Sequence, residues 1–252
     1  MPTKRPLVFV DLDDTLFQTA RKMDGEPRFM ASLDVNGQPT SFMNATQQCF
    51  VEWLLATTDV VPVTARSVEA YQRVHVPFAH GAICAHGGVM LDSGGLPDRE
   101  WHAHMSRALA PEQARLHSLS AQTLTLGAEL GFSLRGWVVE EQGLATYVVT
   151  KHNNETDEAL LTVCAGLKAR GLLDGLYVHG NGNNLAFLPQ ALQKREAVRE
   201  WIRRDFSDHG KRPILGFGDS VSDLGFMAEC DWWGSPKGGQ LACHVRASIG
   251  HD

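Results

Sequence analysis

The sequence predicts an α/β protein: a doubly wound parallel sheet, Rossmann-like, interrupted by an inserted α+β domain. Three observations carry this. Short continuous apolar runs lie near both ends of the chain, "LVFV" (7–10), "DVVPV" (59–63) and "ILGF" (214–217), and they alternate with helical segments. That is the pattern of strands covered on both faces. The middle of the chain instead holds two pairs of β-rich runs, each pair preceded by a helix, which reads as two antiparallel hairpins. This αββαββ block breaks an otherwise regular alternation, so residues 1–86 and 190–252 are expected to form one domain and residues 87–189 another.

The elements follow in order. "PLVFV" is the first strand. "RFMASLDVNGQPTSFM" sets Asn36-Gly37, a strong two-residue turn signal, between two semi-apolar arms. It predicts a β-hairpin flap beside the carboxyl end of strand one, with a disordered loop as the alternative. "NATQQCFVEWLLATT" is a helix capped by Asn44, with Cys49, Phe50, Trp53 and Leu54 on one face. "DVVPVTARS" is a second strand, and Pro62 marks its approaching end. A helix over 68–74 and a strand "AICA" come next. In the middle block, "PEQARLHSLSAQTLTLGAELG" is a helix with Pro111 in its first turn. "GWVVEEQGLATYVVTKH" is a hairpin around Gln142-Gly143, "ETDEALLTVCAGLKARG" a helix closed by Gly171, and "GLYVHGNGNNLAFLP" a second hairpin. Beyond it, "ALQKREAVREWIRRDF" is a helix, "RPILGFGDS" a strand and "SDLGFMAEC" a helix. Trp232 and Trp233 read as packing on an edge strand, or else as an aromatic platform.

Composition narrows the class. The apolar share is 43% and the formal charge −6, with no basic run to track a phosphate backbone, so nucleic acid is excluded as a partner. The start of the sequence reads as neither a secretory signal nor a membrane span, and a cytoplasmic protein is expected. The five cysteines are scattered, odd in number and without a CxxC pair, so they read as reduced, mostly buried thiols.

Asp11, Asp13 and Asp14 directly follow the first apolar run, where carboxylates repel and resist desolvation. Ligands of an open parallel sheet bind beyond the carboxyl ends of its strands. Asp219 follows "ILGFG" as Asp11 follows "LVFV", so two acids from two strand ends can share one hard cation, for which magnesium is the best match. The structural alternative makes Asp13 and Asp14 helix caps assisted by Thr15.

"DLDDTL" resembles the first motif, DxDx[TV][LV], of the haloacid dehalogenase superfamily. The resemblance implies that Asp11 is a nucleophile that forms an aspartyl-phosphate. It makes Asp13 the general acid/base, with its backbone carbonyl on the metal. "VVPVTARS" resembles motif two, which puts Thr64 on the phosphoryl group; Ala65 stands where relatives often have Gly, before Arg66. "LAFLPQALQKREAV" resembles the motif-three stretch of the sugar-phosphatase branch and singles out Lys194, with Arg195 replacing a preferred Gly. "GFGDSVSD" resembles motif four, GDxxxD, which gives Asp219 and Asp223 to the metal; Ser222 stands where many relatives have Asn. The likeness covers roughly residues 6–86 and 189–244.

An αββαββ insert between motifs two and three resembles the large caps of the Cof-type and sucrose-phosphatase-like branch. Such caps close over the site and read the leaving group. The resemblance therefore implies a magnesium-dependent phosphatase of a small phosphorylated metabolite, a sugar phosphate foremost. Candidate substrate-binding residues are Arg66, His86, Asn181 and Asn184. His86 occupies the place of an Asn in relatives and is either a substrate contact or an ordinary junction residue. Asn181, Asn183, Asn184 and His179 either meet sugar hydroxyls or form a turn. His102 and His104 read as surface residues rather than a metal pair, and Arg135 and Lys151 flank the first hairpin of the insert. The rival functions are a sugar phosphomutase and a phospho-ligand-binding module without turnover.

Overall fold

The computed structural model describes residues 4–250 apart from 24, 25, 27, 155 and 181. The chain divides into two compact units, Met1–Asp98 with Gln193–Asp252, and Arg99–Leu192. The first unit opens with β1 (Leu7–Val10), the two-residue β2 (Gln18–Thr19) and the hairpin β3 (Phe29–Leu33) and β4 (Pro39–Met43). It continues through α1 (Ala45–Thr57), β5 (Asp59–Pro62), α2 (Val68–Gln72), β6 (Ala82–Cys84) and β7 (Val89–Leu91). The second unit holds α3 (Arg99–Leu109), α4 (Gln113–Glu129), β8 (Leu134–Glu141), β9 (Leu144–His152), α5 (Asp157–Ala169), β10 (Leu176–Gly180) and β11 (Leu185–Pro189). The first unit then resumes with α6 (Lys194–His209), β12 (Ile214–Phe217), α7 (Leu224–Met227), β13 (Trp232–Gly234) and α8 (Gln240–Ser248).

The central sheet of the first unit runs β13-β12-β1-β5, all parallel. A parallel bridge from Val63 to Ile83 carries it on to β6. All four residues of β1 are buried, as a strand covered on both faces requires. Val8 and Val10 share one apolar cluster with Val51 and Leu54 of α1. β5 ends at Pro62, as expected from its missing N–H.

Asn44 caps α1 through a complete capping box with Gln47. The buried stripe differs from the expected one. Val51 and Leu54 face the sheet, whereas Cys49 is exposed and Trp53 is half exposed. The cap and these two contacts set the helix rotation, and Phe50 reaches only the rim, edge-on to Phe217 at 5.4 Å.

Other expectations need correction. Trp232 and Trp233 are 63% and 52% exposed rather than packed, because β13 is the outermost strand of its sheet. "SDLGFMAEC" is a 3-10 turn, Val221–Asp223, followed by the short α7 rather than a full helix. All five thiols are free, yet only Cys84 is buried. The helix α3 was not expected, although Trp101, Met105 and Leu109 bury at a four-residue spacing. His104 stacks on Trp101 at 4.9 Å, while His102 approaches Ser106. No helix among the described residues is long and apolar enough to cross a membrane.

In the second unit the sheet runs β10-β11-β9-β8, antiparallel throughout. Leu116, Leu119 and Leu126 of α4 and Leu160, Val163 and Leu167 of α5 pack with Val148 and Phe187 in one core. Gln142 and Gly143 both take positive φ, 54° and 77°, which a tight hairpin turn needs at both central positions.

At the amino ends of β1 and β5, Arg212 forms ion pairs with Asp59 and Asp205. The Arg212 and Asp205 side chains are 8% and 5% exposed. Truncating one partner of a buried pair strands the other charge. Arg212→Met is therefore expected to lower unfolding free energy by about 3–5 kcal/mol, read from urea melts.

Candidate active site

The strand order reverses at β1. The chain passes from β1 to β5 and β6 on one side, while β12 and β13 lie on the other. A parallel sheet leaves a crevice at this point, beyond the carboxyl ends of its strands. Asp11 follows β1, and its N–H donates to the Phe217 carbonyl at 2.8 Å, so its backbone is fastened to β12. Asp219 lies one residue past Gly218, where an added Cβ would come within 2.5 Å of Asp223. Thr64 lies past the end of β5, with its N–H on the Ile83 carbonyl at 2.8 Å.

The segment after β1 makes a tight turn. Leu16 donates to the Leu12 carbonyl, Asp14 takes φ 65°, and Leu12, Leu16 and Phe17 are buried. The turn brings the Thr15 hydroxyl to Asp11 Oδ2 at 3.2 Å and to Asp219 Oδ1 at 3.5 Å. No helix begins here, so the capping alternative for Asp13 and Asp14 fails. Asp14 pairs with Lys22 instead.

Asp11, Asp219 and Asp223 are all buried, and each offers a carboxylate oxygen within 4.8 Å of the others. Lys194, the first residue of α6, donates to Asp11 Oδ1 at 2.6 Å and to Asp223 Oδ1 at 2.8 Å. Burial pushes Asp11 well above the usual carboxylate range, against the pull of Lys194. Burial also acts on Asp223, but Lys194 and the Ser220 hydroxyl and N–H hold it below its usual value. Lys194 itself is raised: burial opposes its charge, and the Asp11 and Asp223 carboxylates outweigh it. Asp219 is pushed up to about 7, first by burial and then by the charges of Asp223 and Asp14.

These donors fit a hard divalent cation. They are carboxylate oxygens gathered in one buried cluster, and at Asp219 the charge of Lys194 is outweighed by burial and by the neighbouring carboxylates. Two of the departures from the motifs the sequence resembles, Arg195 and Ser222, leave this set intact. Arg195 turns to Glu229 at 2.5 Å, and Ser222 bonds the Ser220 hydroxyl that in turn bonds Asp223.

The Asp13 carboxylate lies outside this cluster. Arg66 grips it with both ends of the guanidinium fork, Nε to Oδ2 and Nη2 to Oδ1, each at 2.7 Å. Arg66 N–H donates to the Thr64 hydroxyl at 3.1 Å, which fixes Thr64 beside the same turn. Ala85, His86 and Gly87 follow with three positive φ values, and His86 N–H donates to the Thr64 carbonyl at 3.1 Å. Histidine, like asparagine, is among the residues that tolerate this conformation best. Gly87 is required on steric grounds: a Cβ there would fall 2.5 Å from the Gln193 carbonyl, next to Lys194.

The remaining candidates belong to the second unit. Asn181 lies outside the described residues. Asn184 N–H closes a turn onto Gly182, and the Asn183 side chain bonds both backbone groups of His152, so both residues shape the β10–β11 connection. Arg135 is tied to the His152 carbonyl and Asn153. Sequence reasoning missed the roles of Thr15, Ser220, Ser32 and Ser41. Hydroxyls carry no spacing signal of their own; only the acid motifs around Thr15 and Ser220 mark them.

No protein-family model matches the sequence, and no curated protein matches it. Solved structures do. A trehalose-6-phosphate phosphatase related protein is 20% identical over 91% of this chain and 85% of its own, with a TM-score of 0.52. The sucrose-phosphatase of Synechocystis, solved with sucrose and phosphate, is 16% identical over 99% and 90%, with a TM-score of 0.55. The C-terminal domain of the C. albicans trehalose-6-phosphate phosphatase is 12% identical over 88% and 72%, with a TM-score of 0.58. The chain thus shares its α/β fold with these solved structures. At these identities the likeness is one of fold.

Proposed function

We propose that the protein is a phosphatase of the haloacid dehalogenase type, acting on a small phosphorylated metabolite, a sugar phosphate foremost. The observation that supports this most is the buried cluster of Asp11, Asp219 and Asp223 with Lys194 at the strand-order switch. Binding alone does not need a nucleophilic carboxylate and a second acid two residues on; displacement at phosphorus does. The sugar class is supported by the names of solved structures that share the fold, a trehalose-6-phosphate phosphatase and a sucrose-phosphatase.

In this reading an Asp11 carboxylate oxygen attacks phosphorus in line, and the bond to the leaving oxygen breaks. Asp13 gives that oxygen its proton, then takes one from the water that cleaves the aspartyl-phosphate. Thr64 orients the phosphoryl group, while Lys194 offsets charge on its oxygens. Asp11, Asp219 and Asp223, with the Asp13 backbone carbonyl, would hold Mg2+, whose charge further neutralises the phosphoryl oxygens when bound. The insert is read as the cap that selects the leaving group.

The test is phosphate release from a panel of phosphorylated metabolites that includes trehalose-6-phosphate and sucrose phosphate, with Mg2+ and with EDTA. Release that needs Mg2+ is expected, strongest on sugar esters. A folded protein that releases none from any ester contradicts the reading.

A further inference from the structure

The β3–β4 hairpin contains two buried hydroxyls that the reaction above does not use. Ser32 and Ser41 are 0% and 1% exposed and face each other as partners across the two strands. A buried hydroxyl costs stability unless it is hydrogen-bonded. Both hydroxyls lie on Arg66 Nη2, Ser32 Oγ at 3.3 Å and Ser41 Oγ at 3.5 Å. The same nitrogen donates to Asp13 Oδ1. A guanidinium only donates, so the serines act as acceptors on its outer side while the carboxylate occupies the inner one.

The rest of the surroundings hold Arg66 in place. Its guanidinium carbon sits 5.3 Å from the centre of the Phe17 ring, and Nη1 reaches the Ala70 carbonyl at 3.4 Å. The hairpin is not a loose flap here. Leu33 N–H donates to the Arg73 carbonyl, and His75 N–H donates to the Ala31 carbonyl. The strand carrying Ser32 is therefore sewn to the segment that leaves α2, the helix that begins two residues after Arg66.

We propose that Ser32 and Ser41 are positioning residues: through Arg66 they fix the side chain of Asp13, so that the hairpin sets the aim of the general acid. This rests on the phosphatase reading. The hydroxyls touch neither substrate nor reacting atoms. Their effect passes through a guanidinium fork whose two bonds to Asp13 define the carboxylate plane.

The test compares leaving groups. Nitrophenolate departs without a proton, whereas the alkoxide of an alkyl ester needs one, so loss of the general acid's aim affects only the second kind of ester. kcat/KM, which covers steps up to the phosphoenzyme, is measured in Mg2+ for p-nitrophenyl phosphate. The same is done for whichever of trehalose-6-phosphate, sucrose phosphate and glycerol phosphate turns over fastest. For Ser32→Ala/Ser41→Ala, kcat/KM on the alkyl ester is expected to fall roughly 10- to 100-fold. On the aryl ester it should stay within about threefold. Each single variant leaves one hydroxyl on Arg66 and should fall between. Ser41→Thr keeps the hydroxyl and should restore the alkyl rate, with thermal melts reporting the fold of every variant. Equal losses on the two esters, or no loss in the double variant, overturn the positioning role alone. A wild-type protein that turns over neither ester overturns the phosphatase reading and the positioning role with it.

Discussion

Asp11→Asn is expected to lower phosphate release by about 10⁴-fold or more while leaving the protein folded. The amide keeps the shape of the side chain and removes the nucleophile. The fold should tolerate it, because burial already disfavours the charged form of Asp11 and Lys194 retains Asp223 as a partner. Circular dichroism and a thermal melt on the same sample as the rate assay check both halves. A variant that keeps a tenth of wild-type activity removes Asp11 from the nucleophile's role. The phosphatase would then have to run on another group, and none of the other cluster acids lies at the end of β1.

Lys194→Met is expected to destabilise the fold about as strongly as Arg212→Met. Its Nζ bridges two carboxylates, and its side chain is 9% exposed. Removal leaves three buried acids without their cation, at a cost of about 3–5 kcal/mol near pH 8 in EDTA. The pH dependence has a definite sign. Asp219 has a folded pKa of about 7 against a usual value of 3.8. As pH rises past the lower value, the unfolded chain releases this proton and the folded chain does not. The group therefore costs no stability below about pH 4, a growing amount between 4 and 7, and a constant amount above. Metal-free wild type should lose stability across that window, and Asp219→Asn should be flatter there and melt higher at pH 8. Mg2+ should raise the wild-type melting temperature at pH 8 and leave Asp219→Asn nearly unmoved. A melting temperature independent of pH between 4 and 7 in EDTA argues against a raised Asp219 carboxyl.

Much of this geometry was legible in the residues. The apolar runs located the parallel strands, because a strand buried on both faces has no polar side to hide it. The acids at the ends of β1 and β12 located the crevice, since a strand's last residue points where the sheet ends. Other features lay beyond periodicity. α3 was lost because its buried residues, Trp101, Met105 and Leu109, are diluted by histidines and an arginine. The exposed sides of α1 and β13 depend on which neighbour covers an aromatic ring, and spacing along one element does not encode that. The Arg66–Asp13 fork joins residues 53 positions apart, with Ser32 and Ser41 behind it, and no local pattern marks such a meeting.

The central strand carries a further consequence for how the protein comes into being. β1 is hydrogen-bonded on one side to β5 and on the other to β12, whose residues are made about 200 positions later. Emerging from a ribosome, Asp11 therefore waits, with one edge of its strand unpaired, while the entire Arg99–Leu192 unit is synthesised. Such a long closure is slow by topology alone. The nascent chain is expected to be inert and protease-sensitive at β1 until β12 arrives. Strand and nucleophile are thus completed by the same late event, and no chain that stops short of β12 presents Asp11, Lys194 and Asp223 together.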